Sequence, residues 1–295
     1  MATIDLHIHS NCSDDGEFSP AELVEFCLGA GLTHAAIADH NSVKGVAQAQ
    51  GAAEGTSLRI IPALEMDCHF EGIALHLLGY GIDHSASIFL QIERDIHRQE
   101  LETSTRRMRL VRQLGIDFDD DLIASLAHNG VVTGEVIAEA ALHHDVKSEN
   151  SLLDPYRGSG TRSDNPFVNF YWDFCAQGKP AHVPIDYISL AQAVEIIRAN
   201  RGVAVLAHPG LQVKEDGSLL ARIIAEGVNG IEVYSSYHTR EQEQFYREAA
   251  RDNGLLLTCG SDFHGKTKPG IKIGGTDCEG LEADIIAALM CRIMH

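Results

Sequence analysis

The chain has 295 residues, of which 44% are hydrophobic, which is enough for one large barrel or two modest domains. Its 42 acidic and 23 basic side chains give a formal net charge of −19, which argues against a nucleic acid polymer held through its phosphates. The seven cysteines form no Cys-x-x-Cys pair, no apolar run approaches the roughly 18 residues of a membrane helix, and no signal peptide is evident. We therefore expect a cytoplasmic protein without membrane contact.

Predicted strands and helices alternate at the start of the chain. Strands are predicted at 3–8, 34–38 and 59–65, and at 66–70 and 73–79 on either side of a turn at Glu71-Gly72. The stretch Ser19-Pro20-Ala21-Glu22 predicts a capped helix that ends at Gly31, and an alanine-rich helix covers 43–54. This alternation is typical of α/β folds in which helices join parallel strands.

The pattern changes between residues 85 and 180. Residues 85–145 are predicted to be mainly helical, with one long charged helix, and residues 146–170 are predicted to form a polar loop. Alternation then resumes, with strands at 203–207, 230–234 and 255–260 and helices at 189–200, after Thr239 and at 281–291. We therefore predict seven strands, mostly parallel, in a barrel or an open sheet, with an inserted helical cap subdomain at 85–180.

Polar residues accompany nearly every predicted strand, mostly at or after its end. They are His7, His9, Asp14, Asp39, His40, Glu65, His76, His208, Asp262 and His264. Because the carboxyl ends of barrel strands form one face, we expect these side chains to converge there. The His-x-His spacing puts both imidazoles on the same side of the first strand.

This set of side chains predicts a centre for several metal ions. Two neutral imidazoles and a carboxylate suit one transition-metal ion, and six histidines with acidic neighbours exceed what one ion needs. We therefore predict two or three divalent cations, Mn, Fe or Zn, with Glu65 as the carboxylate that bridges them.

The segments that carry these residues resemble the PHP (polymerase and histidinol phosphatase) family. They are DLHIHSNCSDDG, ADHN, ALEMDC followed by His76, LAHPG and GSDFHG, in the order of the family. The resemblance implies an α/β fold with a distorted seven-stranded (β/α)7 TIM-like barrel, formed here by residues 1–84 and 181–295, with residues 85–180 as the cap. Within the family, the chain is most similar to stand-alone phosphoesterases with an inserted helical cap.

The resemblance also implies three groups of metal ligands. The first is His7, His9, Glu65 and Asp262, the second is Glu65, His76 and His208, and the third is Asp14, His40 and His264. Asp15 is a rival ligand in the third group, because two acids precede Gly16 where the family usually has one. Asp14 is preferred since it keeps the usual step from His9.

The implied reaction is hydrolysis of a phosphate ester of a small nucleotide or ribose phosphate. The substrate would be a mono- or bisphosphate or a cyclic ribose phosphate diester, and two ions would share the attacking hydroxide. Glu65 and Asp14 belong to the expected catalytic set, and His238 is a candidate proton donor to the leaving group.

The cap of this chain departs from that of the nucleotide-acting relatives. Their Arg-x-x-His-like phosphate clamp is missing from VVTGEVIAEA, which has Glu135 instead, so we expect other cations to bind the substrate phosphate: Arg157, Arg162 and Lys179. Three alternative functions stay open, namely a histidinol-phosphatase-like monoesterase, a metal-dependent amidohydrolase and a non-catalytic metal-binding module.

Overall fold

Two β-sheets carry the elements that surround the candidate site. The computed structural model describes residues 3–294, so residues 1–2 and 295 of the predicted barrel lie outside the described part of the chain. The strands are β1 (Ile4–Ile8), β2 (His34–Ile37), β3 (Arg59–Ile60), β4 (Ala63–Phe70), β5 (Ile73–Tyr80), β6 (Ile188–Ser189), β7 (Val203–Leu206), β8 (Gly230–Ser235) and β9 (Leu256–Gly260). The first sheet has the order β1-β2-β3 and the second the order β6-β4-β5-β7-β8-β9.

Two isolated bridges connect the two sheets, one at the end of β1 and one between the segment after β2 and the start of β4. Ile8 pairs with Phe263 beyond β9, and His40 pairs with Glu65 of β4. The helices are α1 (Pro20–Gly29), α2 (Lys44–Ala53), α3 (Ser87–Gln113), α4 (Asp120–Leu126), α5 (Gly134–His144), α6 (Pro166–Phe170), α7 (Leu190–Ala199), α8 (Gly217–Ala225), α9 (Arg240–Asp252) and α10 (Glu282–Ile293). The predicted α/β class is therefore confirmed.

The second sheet is mixed, whereas the sequence predicts mostly parallel strands. β5 runs antiparallel to both of its neighbours, β4 and β7. β4 returns directly into β5 through Glu71 and Gly72, whose φ angles of 48° and 81° are left-handed. A turn of two residues joins antiparallel strands, because a parallel pair needs a long crossover.

The helix starts predicted after Ser19 and Thr239 are confirmed, and each of them is a capping box. The side chain of Ser19 accepts a hydrogen bond from the amide of Glu22, and Thr239 does the same for Gln242. The long charged helix is α3, of 27 residues. The polar stretch 146–170 is less irregular than predicted, because the side chain of Asn150 caps a 3₁₀ helix at Ser151–Tyr156 and Pro166 starts α6.

The inserted segment has a hydrophobic core of its own. Val111 of α3, Ile137 of α5 and Phe170 of α6 are among its buried side chains. A larger hydrophobic cluster involves the strands and the helices that pack against them, with Leu64 and Val205 among its fully buried side chains. A separate core is what a distinct subdomain would have, and the boundary at 85–180 stays a prediction.

Candidate metal centre

The end of β1 brings two histidines into the interior. All five residues of β1 are buried, since the strand pairs with β2 and its end bridges to the segment after β9. His7 lies in the strand and His9 follows it, so the two side chains point to the same side. Both residues are 0% exposed. The predicted convergence of the two imidazoles is therefore present in the structure.

Four side chains meet in the first group, site A: His7, His9, Glu65 and Asp262. The Nε2 atoms of His7 and His9 are 3.0 Å apart, and each is 3.1 Å from Glu65 Oε2. Asp262 Oδ1 is 3.4 Å from His7 Nε2 and 3.1 Å from His9 Nε2. A cation with tetrahedral ligands at about 2.0–2.1 Å holds them roughly 3.3–3.4 Å apart, so these spacings fit one metal ion.

The donor atoms of site A are poorly satisfied by the protein alone. Glu65 Oε2 and Asp262 Oδ1 are buried and accept no hydrogen bond of normal geometry from the described residues. The two Nε2 atoms face each other, and at most one of them can donate a proton to the other. Unpaired buried carboxylate oxygens carry a large desolvation cost. A transition-metal cation would satisfy all four atoms together, and this donor chemistry suits one.

Site B comprises Glu65, His76 and His208. Glu65 Oε1 lies 3.0 Å from His76 Nδ1 and 3.1 Å from His208 Nε2. The second oxygen of the same carboxylate belongs to site A, so the buried side chain of Glu65 joins the two groups. This is the arrangement that the sequence predicts for a bridging carboxylate.

Site C comprises His9, Asp15, His40 and His264, with Asp15 where the sequence favoured Asp14. Asp15 Oδ2 is 3.1 Å from His264 Nε2. Asp14 instead points towards the inserted segment, where its Oδ1 is 3.9 Å from His128 Nδ1. The hydroxyl of Thr267 donates to the carbonyl of Asp15 and fixes this turn, which the spacing from His9 does not reveal. Burial and the charges of Asp15 and Glu100 raise the pKa of Asp14 to about 7.

Asp67 is a carboxylate of the centre that the sequence reasoning missed. It follows Glu65 by two positions on β4, so both side chains face the same side of the strand. Asp67 Oδ1 is 3.1 Å from His40 Nδ1 and 3.4 Å from His76 Nε2, and Oδ2 accepts a hydrogen bond from Asn41 at 2.7 Å. The alternation of ALEMD contained the signal that would have found it.

Asp39 supports the loop after β1 and does not join any of the three groups. It accepts hydrogen bonds from the amide of Ser10 at 2.6 Å, from its hydroxyl at 2.7 Å and from the hydroxyl of Ser13 at 3.1 Å. The same Ser13 oxygen lies 3.1 Å from His9 Nδ1. Asp39 therefore acts on the centre through the loop that orients His9.

Lys268 and Tyr237 contact the outer oxygen of Asp262, and the sequence reasoning missed both. The Lys268 ammonium and the Tyr237 hydroxyl donate to Asp262 Oδ2 at 2.5 and 2.6 Å. Lys268 is only 7% exposed. Burial opposes ionisation of Asp262, but the charges of Lys268 and His264 hold its pKa well below the usual range. Asp262 is thus kept as a carboxylate whose Oδ1 faces site A.

The cations that the sequence predicts to bind the substrate phosphate either pair with acidic side chains or are exposed. Arg157 donates to Asp145 at 2.9 Å, and Arg162 donates to both carboxylate oxygens of Asp173 at 3.0 and 3.1 Å. Both pairs lie within the inserted segment, and Lys179 is exposed. The sequence revealed the charges but not the acidic partners that hold them.

His238 is held by the backbone through both ring nitrogens. Nδ1 lies 2.8 Å from the carbonyl of Val233, and Nε2 accepts the amide of Gly210 at 3.0 Å. Burial lowers its pKa. This arrangement requires the neutral tautomer with its proton on Nδ1, so the geometry does not support the expected role as proton donor to a leaving group.

The comparison with known families identifies the family of the chain. The PHP domain matches residues 5–154, which is just over half of the chain. This chain belongs to the PHP domain family. The match includes the His-x-His strand, both acids of the following turn, His40, Glu65 and His76. No helix within residues 3–294 is both long and apolar enough to cross a membrane.

Curated relatives resemble the chain over most of its length. It is 28% identical to a 3′,5′-nucleoside bisphosphate phosphatase of Chromobacterium violaceum, covering 94% of this chain and 92% of that protein. It is 26% identical to a 5′-3′ exoribonuclease of Haemophilus influenzae, with 88% and 89% covered. A solved amidohydrolase structure from C. violaceum, with bound sulfate and no metal, superposes with a TM-score of 0.78 at 25% identity and covers 97% of this chain and 96% of that one.

Proposed function

We propose that the protein is a metal-dependent phosphoesterase that hydrolyses phosphate esters of small nucleotides or ribose phosphates. The observation that carries this proposal is the adjacency of sites A, B and C. Glu65 is shared between the first two groups and His9 between the first and the third. Such a series of imidazole and carboxylate donors suits two or three neighbouring divalent cations, and two such ions can clamp a phosphoryl group.

The ligand assignment within this proposal follows the geometry. Sites A and B take the residues that the family resemblance implies, and site C takes Asp15 in the place of Asp14. Asp14 therefore drops out of the catalytic set, while Glu65 stays in it. Mixed imidazole and carboxylate ligands suit Mn, Fe or Zn. When bound, these ions supply positive charge for the phosphoryl oxygens and make water a better nucleophile at neutral pH.

Residues of this chain contribute orientation and charge around the ester. The carboxylate of Glu65 fixes the separation of sites A and B, because its two oxygens face one group each. Lys268 has three N–H donors, of which one goes to Asp262. We assign the other donors to a phosphoryl oxygen of the substrate, which is the role that the sequence gave to Arg157, Arg162 and Lys179.

The proposed substrate class draws on the relatives. The names of these two relatives state a nucleoside bisphosphate as the substrate of one and RNA as the substrate of the other. The net charge of −19 disfavours long polyanions, so we propose a mononucleotide or a very short oligonucleotide rather than a polymer. The fold that presents the site is proposed to be one distorted barrel, closed where the bridges at Ile8 and His40 join the two sheets.

The test is hydrolysis of a panel of esters by protein loaded with Mn²⁺, followed by phosphate release for the monoesters and by chromatography of the products for the diesters, because opening a diester releases no inorganic phosphate. The panel contains adenosine 5′-monophosphate, adenosine 3′,5′-bisphosphate, a 5′-phosphorylated RNA dinucleotide, ribose 5-phosphate with a 1,2-cyclic phosphate, and histidinol phosphate. We expect turnover of at least one nucleotide or ribose ester, loss of it in His9→Ala, and no loss in His144→Ala, an exposed histidine of α5. Absence of hydrolysis of every ester by metal-loaded protein would refute the proposal.

Hydrolysis of an amide is a second candidate. It is favoured by one observation, the name of the solved C. violaceum structure as an amidohydrolase. A panel of amides and cyclic amides, assayed with the same metal-loaded protein, separates the two reactions. Turnover of an amide without release of phosphate from any ester would replace the first proposal with the second.

A further inference from the structure

We propose that Glu232 is a positioning residue that fixes the ring of His7 and the backbone of His208, and thereby prepares sites A and B for metal. Glu232 lies in β8 and is 0% exposed. It belongs to none of the three ligand groups, and the family match ends before it. The inference rests on the proposed metal centre and adds a residue to it.

The first contact of Glu232 sets the tautomer of His7. Glu232 Oε1 is 3.0 Å from His7 Nδ1, and both side chains are 0% exposed. A carboxylate can only accept at this distance, so Nδ1 must carry the proton. The lone pair of the neutral ring is then on Nε2, the atom that faces Glu65 and Asp262. A hydrogen bond of this kind also makes a histidine ligand more basic.

The second contact of Glu232 holds the chain that carries His208. Glu232 Oε2 accepts a hydrogen bond from the backbone amide of His208 at 2.8 Å. The φ angle of His208 is 23°, in the left-handed region that a non-glycine residue rarely adopts. The hydrogen bond from this amide to a buried carboxylate offsets part of the free-energy cost of the left-handed conformation. The imidazole of His208 is thereby directed to Glu65 Oε1 in site B.

The neighbouring strand leaves room for this carboxylate. Gly260 of β9 pairs with Ser235 of β8, and a Cβ atom on Gly260 would lie 2.6 Å from Glu232 Oε1. The same atom would lie 2.3 Å from His7 Cβ. Any side chain at Gly260 would therefore collide with both partners of the hydrogen bond. Glycine at this position is a requirement of the contact between Glu232 and His7.

No neutral replacement satisfies both donors. The amide oxygen of a glutamine can accept from His7 Nδ1, but its amino group then meets the donating amide of His208. In the flipped orientation the amino group donates to His7 Nδ1, so the neutral ring must carry its proton on Nε2. A protonated Nε2 has no lone pair with which to bind metal. Glu232→Gln is thus nearly isosteric and still removes the arrangement.

The experiment measures metal binding and does not depend on turnover. Metal-free wild-type protein, Glu232→Gln and the control Glu248→Gln, an exposed carboxylate of α9, are titrated with Zn²⁺ against a chromophoric chelator. We expect the affinity for one or two of the bound ions to fall roughly 10- to 100-fold in Glu232→Gln, with the remaining ion and the control unchanged. A role in folding alone would lower the affinity for all of the ions equally or for none of them.

Circular dichroism of the metal-free proteins shows whether Glu232→Gln is folded. If it is not, Glu232→Asp, which withdraws the carboxylate from both donors by one methylene group, takes its place with the same expected loss. Wild-type affinity and stoichiometry in the folded variant would overturn the role of Glu232, and so would a wild-type protein that binds no divalent ion. Wild-type protein that binds ions but releases no phosphate would refute only the proposed reaction.

Discussion

Replacing Asp15, but not Asp14, is expected to disable site C. Asp15→Asn removes the charge of a carboxylate whose Oδ2 atom lies 3.1 Å from His264 Nε2. Asp14→Asn instead changes a side chain that is directed at His128. Unit charges about 4 Å apart attract by about 4 kcal/mol at an effective dielectric constant of about 20. Burial of the carboxylate offsets part of this, and a net loss of about 3 kcal/mol corresponds to roughly 100-fold weaker binding of one ion.

The assay is ion binding to metal-free protein, followed by competition with a chelator and by elemental analysis of the dialysed complex. Asp14→Asn serves as the matched control, because it is the same chemical change one residue away. Its effect should stay within about 0.5 kcal/mol, or less than threefold in affinity. If Asp14→Asn lost an ion and Asp15→Asn kept all of them, the assignment of site C would be refuted.

Three other variants test separate features of the site and the inserted segment. Lys268→Met should lower kcat/KM at least tenfold while the exposed control Lys272→Met does not, and equal rates in steady-state assays would remove Lys268 from the site. Arg162→Ala should leave KM within about twofold and lower the melting temperature, because its partner is Asp173; a tenfold rise of KM would return it to the substrate. Burial and the charge of Asp15 raise the pKa of Glu135 from 4.5 to about 6, so its stabilising contribution is complete below pH 4.5 and is lost as the pH rises through 6. Glu135→Gln should therefore gain at most about 2 kcal/mol of unfolding free energy at pH 8 and almost none at pH 4.5 in the metal-free protein, and an equal gain at both pH values would contradict this.

The metal-binding groups could be read from the sequence where a short local rule governs the position of a side chain. His7 and His9 needed only the two-residue period of a strand, and Glu65, His208 and Asp262 needed only their places in or just after predicted strands. Alternation along β4 would also have given Asp67. The same rule fails in the turn after His9, where the two adjacent acids approach different histidines that are distant in sequence, His128 for Asp14 and His264 for Asp15.

Roles that depend on partners far along the chain could not be predicted. Arg157 and Arg162 looked available for phosphate until the structure paired them with Asp145 and Asp173. The sequence indicated His238 as a proton donor, but both of its ring nitrogens form hydrogen bonds with backbone groups. The antiparallel course of β5 was indicated by Glu71-Gly72, but the parallel pattern of the other strands outweighed that local signal. Glu232 offered only one sign, a charge inside an otherwise apolar strand.

Phosphate ester hydrolysis is proposed to depend on metal held by sites A and B. The most direct measurement is phosphate release from adenosine 3′,5′-bisphosphate and adenosine 5′-monophosphate by chelator-treated protein, before and after Mn²⁺ is restored. Wild-type protein and Glu65→Gln, which alters the carboxylate shared by both sites, are compared. The expected result is no turnover without metal, recovery of the wild-type enzyme with Mn²⁺, and no recovery of Glu65→Gln. Undiminished release by the metal-free protein, or recovery of Glu65→Gln to the wild-type rate, would contradict it.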